Sequence, residues 1–96
     1  MPKGYILSAH RSPADPIKRD AYTKIGVPAF EAYGGKFLAK ASKVNAKENG
    51  VNERTILIEF ESYETALAAY ESEDYQKALQ VLDGGADRDF RIFEGV

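Results

Sequence analysis

The chain has 96 residues, of which 44% are hydrophobic and 29% charged, and its formal net charge is -2. This length suits one domain over residues 1–96, and a chain of this size buries roughly 60 to 65% of its unfolded surface. The absence of cysteine excludes disulfides, thiol nucleophiles and cysteine-ligated metals. The N-terminus lacks the apolar core of a signal peptide, and no apolar run approaches the ~20 residues that span a bilayer. We therefore expect a cytoplasmic protein without membrane contact.

The first predicted elements are a strand and a helix. Gly4 to His10 alternates with apolar side chains on both faces, which predicts a strand. Asp15 followed by Pro16 is typical of a helix start, since a carboxylate can cap the helix and proline suits its first position. Gly26 and Pro28 predict a kink or a restart near Val27. Two glycines then close the helix, and its inner face is formed by Ile17, Ala21, Tyr22 and Ile25.

The segment from Lys36 to Ala41 is ambiguous. Its alanines and lysines favour a helix by propensity, with lysines at helical spacing, although the same residues also alternate as in a strand. A βαββαβ order needs a strand here, and tertiary context overrides propensity. We therefore predict a strand.

The second half of the chain carries the clearest periodicity. Arg54 to Phe60 has apolar residues at both parities, which predicts a strand that is buried on both faces. Ser62 ends this strand, and Ser62 and Ser72 each precede an i, i+3, i+4, i+7 apolar pattern, which predicts two helices, the second with Ser72 as its N-cap. Arg88 to Glu94 alternates again and predicts the last strand.

These elements predict an α+β, ferredoxin-like βαββαβ fold: a four-stranded antiparallel sheet with its helices on one face. RNA-recognition motifs share this order, but they need stacking aromatic side chains on the open face of the third strand. Thr55 and Leu57 occupy those positions, and the net charge is acidic. We therefore expect no nucleic-acid partner.

An open sheet face that carries Leu57 favours packing against another sheet, most simply a second copy of the chain. Thr55, Leu57 and Glu59 would then belong to the dimer face. An unpaired carboxylate is costly there. We expect Glu59 to pair with a basic group or a hydroxyl across a homodimer.

Four segments together resemble the domain-of-unknown-function family 1330, within the dimeric α/β-barrel, ferredoxin-like superfamily. They are KGY at residues 3–5, PAFEAYGGKFLAK at 28–40, ILIEFESYETALAAYESEDYQKA at 56–78 and IFEG at 92–95. The resemblance implies a dimeric barrel of two face-to-face sheets and a strand at Lys36 to Ala41. It implies no reaction.

Candidate ligand-binding residues are few. His10 is the single histidine and lies at a strand end beside Arg11, where both could face a cavity. Tyr22 could leave the core where Gly26 and Pro28 kink the helix, whereas the other helix tyrosines, Tyr33, Tyr63, Tyr70 and Tyr75, are expected to pack against the sheet. Lys40 could meet an anionic ligand, or it could discourage aggregation at a sheet edge.

The sequence has no glycine-rich phosphate loop, metal-ligand cluster or Ser/His/Asp order, and we expect neither a metal nor a cofactor. Two classes of function fit. The first is a dimeric barrel that binds or transforms a small organic molecule without a cofactor, by analogy with monooxygenases and lactone isomerases of the superfamily. The second is a non-catalytic dimeric binding or stress-response module. Catalytic residues, and whether the protein is an enzyme, stay open at this point.

Overall fold

The computed structural model describes residues 2–96 and has four strands and three helices. In chain order these are β1 (Gly4–His10), α1 (Pro16–Ala32), β2 (Lys36–Ala41), β3 (Thr55–Phe60), α2 (Tyr63–Glu71), α3 (Glu73–Leu82) and β4 (Arg88–Glu94). The strands form one antiparallel sheet in the order β2-β3-β1-β4. The predicted fold class and the strand at Lys36–Ala41 are confirmed.

The second crossover consists of two helices that share Ser72. Its backbone ends α2, and its Oγ donates to the Ala69 carbonyl at 2.7 Å and accepts from the Tyr75 N–H at 3.2 Å. One side chain therefore satisfies a backbone group of each helix. The predicted N-cap at Ser72 is confirmed, and the structure shows a second serine cap, because Ser62 Oγ accepts from the Thr65 N–H at 3.1 Å.

Helix α1 begins as predicted, since the Asp15 carboxylate accepts from the backbone N–H groups of Ile17 and Lys18, each at 3.0 Å. The expected restart near Val27 is wrong, because the helix continues through Pro28 to Ala32. Proline removes only one backbone donor and its φ is helical, while Phe30 is buried just beyond it and anchors the second half. Ile17, which was assigned to the inner face, is 82% exposed in the first turn.

The core lies between the helices and one face of the sheet. Its strand residues are Ile6, Ile58 and Phe60, and Tyr75 of α3 is fully buried against them. The ring of Tyr75 stacks on that of Phe30, with centroids 4.4 Å apart. Alternate residues of each strand therefore face the helices, and the intervening ones form the open face.

The open face carries Leu7 and Leu57, which are register partners on β1 and β3, and Tyr5 stacks on Phe93 with centroids 5.7 Å apart. Glu59 accepts a hydrogen bond from the Tyr5 hydroxyl at 3.1 Å. The hydroxyl donor that we expected for Glu59 across a dimer is thus supplied within the chain. None of the helices formed by residues 2–96 has the length and apolar character needed to cross a bilayer.

Candidate functional site

A cavity of about 70 Å³ lies between α1 and the helix-facing side of the sheet. A single water needs only about 10 to 15 Å³ by the same measure, so the space exceeds that of one solvent molecule several-fold. All four strands and α1 contribute to its wall. The polar and charged side chains that line it are Ser8, His10, Arg19, Tyr22, Thr23, Lys40, Arg54 and Arg88.

The rest of the wall is apolar and largely aromatic. Phe30 comes from α1, Phe37 from β2 and Phe90 from β4, while Ile56 and Ile58 supply the floor from β3. This combination of apolar walls with a few convergent polar groups is characteristic of small-molecule sites.

Four cationic side chains line the cavity, and no aspartate or glutamate does. They are Arg19, Lys40, Arg54 and Arg88. Every ion pair within residues 2–96 involves other lysines and arginines, so none of these four has a carboxylate within 4.0 Å. The cavity is therefore electropositive although the whole chain is acidic.

Arg88 is the cation that the fold holds most firmly. It begins β4, opposite His10 on β1, and its Nη1 donates to the Tyr22 hydroxyl at 3.1 Å. Its guanidinium carbon lies 5.0 Å from the Tyr22 ring centroid and 4.8 Å from that of Phe90. Two aromatic faces and one hydroxyl thus orient a cation that has no anionic partner.

The Tyr22 hydroxyl also lies 2.7 Å from the hydroxyl of Tyr75. Tyr75 is fully buried, and this burial, followed by the neighbouring Tyr22, raises the pKa of its phenol well above the ordinary value. A neutral buried Tyr75 needs an acceptor for its hydrogen, and Tyr22 is the partner that the structure supplies. Tyr22 then accepts from both Arg88 and Tyr75, which leaves its own hydrogen free to donate into the cavity. Gly26 makes room for this ring, because a Cβ there would lie 3.3 Å from Tyr22 Cζ.

His10 is 6% exposed, and its pKa is lowered from the ordinary value of 6.5, first by burial and then by the positive charges of Arg88, Arg54 and Arg19. Its backbone N–H donates to the Arg54 carbonyl at 2.9 Å. The imidazole is therefore neutral at neutral pH and can accept a proton or a hydrogen bond.

Ser8, two residues before His10 on the same strand face, lines the same cavity. It is 3% exposed, and its Oγ is the one buried side-chain polar atom within residues 2–96 that has no hydrogen-bond partner. Leaving a buried hydroxyl unpaired costs about 1 to 3 kcal/mol, so an unpaired hydroxyl in a cavity wall indicates a missing partner.

Three of the four candidate ligand-binding residues meet here: His10, Tyr22 and Lys40 all line the cavity. Lys40 is exposed and lies at its rim, with Nζ 4.5 Å from the Phe37 ring centroid. Arg11 does not join them; it is exposed, and its backbone N–H donates to the Asp87 carbonyl at 2.8 Å. Tyr33 is 42% exposed and does not pack against the sheet as expected.

Sequence reasoning missed Ser8, Arg19, Arg54 and Arg88. A signal existed for Arg88, because it has the same strand parity as Phe90 and Ile92, the helix-facing residues of β4. A charged residue in phase with core residues is unusual and indicates a partner or a site. Within the described part of the chain, no three histidine, aspartate or glutamate side chains converge as a metal site would require.

Several solved structures share this fold. A protein of unknown function from Rhodopseudomonas palustris is 16% identical, with a TM-score of 0.73 over 99% of this chain and 83% of that one. A cofactor-independent oxygenase from Streptomyces nogalater is 10% identical, with a TM-score of 0.63 over 97% and 92% of the two chains. A dimeric ferredoxin-like protein of unknown function from Thermobifida fusca is 10% identical, with a TM-score of 0.53 over 97% and 91%. Identities this low establish similarity of fold alone.

No functionally curated protein matches the sequence significantly. The profile of one family, described as "Domain of unknown function (DUF1330)", matches residues 3–96, which is nearly the whole chain. The match includes every strand and helix and all the residues that line the cavity. The chain therefore belongs to the DUF1330 family and has a ferredoxin-like fold.

Proposed function

We propose that this protein binds a small organic molecule in the cavity between α1 and the sheet. The observation that carries the proposal is the unpartnered Ser8 hydroxyl in the wall of a cavity that combines apolar and aromatic side chains with a few polar and cationic ones. In the ligand-free protein, the buried hydroxyl loses its hydrogen bonds to water and gains none in exchange. A ligand that hydrogen-bonds to it would offset that loss. The cavity also has the mixture of apolar and convergent polar groups found in ligand sites.

The protein acts as a homodimer in this proposal, with the open faces of two sheets packed together. Leu7 and Leu57 lie side by side on that face, and Phe93 at its edge is 41% exposed. Apolar residues on a sheet face are stabilised by packing against another sheet. The dimeric ferredoxin-like neighbour from T. fusca lends support. Such a dimer leaves the helix-side cavities on the outer layers, so each chain keeps a complete site.

A second candidate is proton transfer to His10. The neutral imidazole and the cations Arg88 and Arg54 line one cavity, so the imidazole could take a proton from an O–H or an acidic C–H of the ligand while the cations stabilise the anion that remains. The similarity in fold to a cofactor-independent oxygenase is compatible with such chemistry. Deuterium uptake from D₂O at a carbon atom of the bound ligand tests the C–H case: uptake should be faster with the wild type than with His10→Gln, and equal rates would exclude His10 as the base that removes a C–H proton.

Binding is tested by thermal unfolding with small acids, lactones and quinones, on the wild type and on Tyr22→Phe. A ligand at about ten times its Kd stabilises the folded state by about 1.4 kcal/mol, which raises Tm by several degrees in a domain of this size. We expect Tyr22→Phe to lose most of that shift, because the hydroxyl that donates into the cavity is gone.

Tyr33→Phe is the matched control, since it makes the same chemical change at a helix end outside the cavity. It should respond to ligands like the wild type. Equal shifts in all three proteins would place binding elsewhere, and no shift with any compound would argue against a small-molecule site.

A further inference from the structure

We infer that the ligand of this cavity is an organic carboxylate, held by Arg88 and Tyr22 with its apolar body among the aromatic walls. This inference rests on the proposed small-molecule site and assigns it a ligand class. The inference is based on two observations. Four cations and no carboxylate line the cavity, and the Arg88 guanidinium and the Tyr22 hydroxyl both keep N–H or O–H groups that can donate to a ligand.

The charge balance of the cavity favours an anion. Five of the nine lysines and arginines outside the cavity pair with carboxylates, as in Lys3 with Glu61 at 3.0 Å and Arg91 with Asp89 at 3.0 Å. Arg88 and Arg91 are three residues apart on one strand, yet only Arg91, on the open face of the sheet, is paired with a carboxylate. A partly buried cation without a counter-ion is unfavourable unless something anionic binds there.

The geometry at Arg88 suits a carboxylate in particular. A guanidinium has five N–H donors, and within residues 2–96 at most two of those of Arg88 are used, by the hydroxyls of Tyr22 and Tyr75. Its cation–π contacts with the Tyr22 and Phe90 rings and its hydrogen bond to Tyr22 hold the group in place, so the remaining donors can form a two-point contact with a planar carboxylate. The free hydrogen of the Tyr22 hydroxyl lies beside it and can donate to the same anion.

The apolar walls distinguish an organic acid from inorganic phosphate. Phe30, Phe37, Phe90, Ile56 and Ile58 surround the space next to the cations. A flat apolar body would bury its surface against them, whereas a phosphate ion would leave them uncovered and lose its own hydration. The acid is therefore small and has a planar or branched apolar body.

The test uses benzoate, with benzamide as its uncharged counterpart of the same shape, and inorganic phosphate as the second anion. Binding is followed by shifts of backbone amide NMR signals, which give both the site and the Kd. We expect benzoate to shift signals of β1, β4 and α1 around the cavity, and to bind at least about 10-fold more tightly than benzamide, the ratio set by one charge-assisted hydrogen bond. Phosphate should bind more weakly than benzoate.

Arg88→Gln should weaken benzoate binding roughly 10- to 100-fold and leave benzamide nearly unaffected, because the variant keeps a hydrogen-bond donor and removes the charge. Arg91→Gln is the control, since it removes an arginine from the same strand on the opposite face. It should bind benzoate like the wild type. The dispersion of the NMR spectrum shows directly whether each variant is folded.

Equal affinity for benzoate and benzamide in the cavity would overturn the carboxylate assignment and leave the small-molecule proposal standing. Phosphate binding as tight as benzoate binding would also overturn it, as would unchanged benzoate affinity in a folded Arg88→Gln. If neither aromatic probe shifts the NMR signals of the cavity at concentrations up to about 10 mM, both proposals are contradicted. Even a Kd of 1 mM, a binding free energy of only about -4.1 kcal/mol, would be detected at that concentration.

Discussion

Arg88 and His10 face each other as register partners on β4 and β1, on the side of the sheet that the helices cover. An arginine and a histidine at such positions would ordinarily be replaced by apolar residues if packing were all that mattered. The arginine stacks on two rings and donates to one hydroxyl, and the histidine is kept neutral by burial and by the surrounding cations. Neither the unpaired charge of Arg88 nor the burial of the His10 imidazole is expected to stabilise the folded state, and both groups suit the binding of an anion.

Replacing Arg88 with methionine should therefore cost little stability in the ligand-free protein. The loss of one hydrogen bond and two cation–π contacts is offset by removal of a partly buried unpaired charge, so the change in unfolding free energy should lie within about 1 kcal/mol of zero. Urea unfolding monitored by circular dichroism measures it. A loss of about 3 kcal/mol or more would show that Arg88 has a structural role, such as an unrecognised ion pair.

The lowered pKa of His10 predicts a specific pH dependence. Because its folded-state pKa lies below the unfolded value of about 6.5, the unfolded chain binds more protons in the window between the two. The contribution of His10 to stability is fully present above that unfolded value and is lost as pH falls through the folded pKa. The groups that act on it are Arg19 of α1, Arg54 before β3 and Arg88 of β4.

Urea midpoints at about pH 7.5 and about pH 5.5 test this, because the two values bracket the ordinary histidine pKa. The wild type should lose more stability between them than His10→Gln, in which the titrating group is absent and the carboxylates are the same. An identical loss in both proteins would mean that the pKa of His10 is not lowered.

At the scale of elements, the sequence predicted the order of strands and helices because its apolar periods and serine caps are local signals. The strand β2 was assigned against its propensity, on the ground that a sheet of this order needs it, and the structure agrees. The continuity of α1 could not be predicted in this way. Pro28 removes one backbone hydrogen-bond donor, and the burial of Phe30, a tertiary contact, compensates for that loss.

The difference between local signals and tertiary contacts also explains which site residues could be predicted from the sequence. His10, Tyr22 and Lys40 were predicted from residue type and local context. Their assembly with Arg54 and Arg88 required knowing that β1 lies between β3 and β4, which places residues far apart in sequence at one end of the sheet. Arg88 alone had a local signal, its parity with Phe90.

Ser72 joins α2 to α3. Although it lies near the surface, its replacement by alanine should lower the stability of the fold more than is usual for a serine at such a position. The change removes the N-cap of α3, so we expect a loss of about 1 to 2 kcal/mol, measured as a lower urea midpoint with an unchanged slope. Ser42→Ala, at an exposed position after β2, is the control and should leave the midpoint unchanged. Similar midpoints for the two variants would show that the cap contributes little.

At the scale of the whole molecule, the two faces of the sheet have different roles in this account. The helix-covered face carries the cavity, and the open face, with Thr55, Leu57 and their neighbours on β1, is the proposed homodimer surface. Glu59 is satisfied by Tyr5 within the chain, so it is not the residue on which dimer formation should depend. The centre of the interface is better tested at Leu57.

Leu57→Asp should convert the dimer to a monomer, because the interface would bury a carboxylate without a partner. Light scattering should give twice the 10.6 kDa chain mass for the wild type and a single chain mass for the variant. Val81→Asp changes an exposed apolar residue of α3, away from the open face, and should remain dimeric. A monomeric wild type, or a dimeric Leu57→Asp, would contradict an interface centred on this face.

A crystal structure of the wild-type protein with benzoate tests the carboxylate site most directly. We expect the carboxylate within hydrogen-bonding distance of the Arg88 guanidinium and the Tyr22 hydroxyl, with the ring among Phe30, Phe37 and Phe90. Benzoate bound only outside this cavity, or an Arg88 paired with a carboxylate of the protein itself, would contradict it.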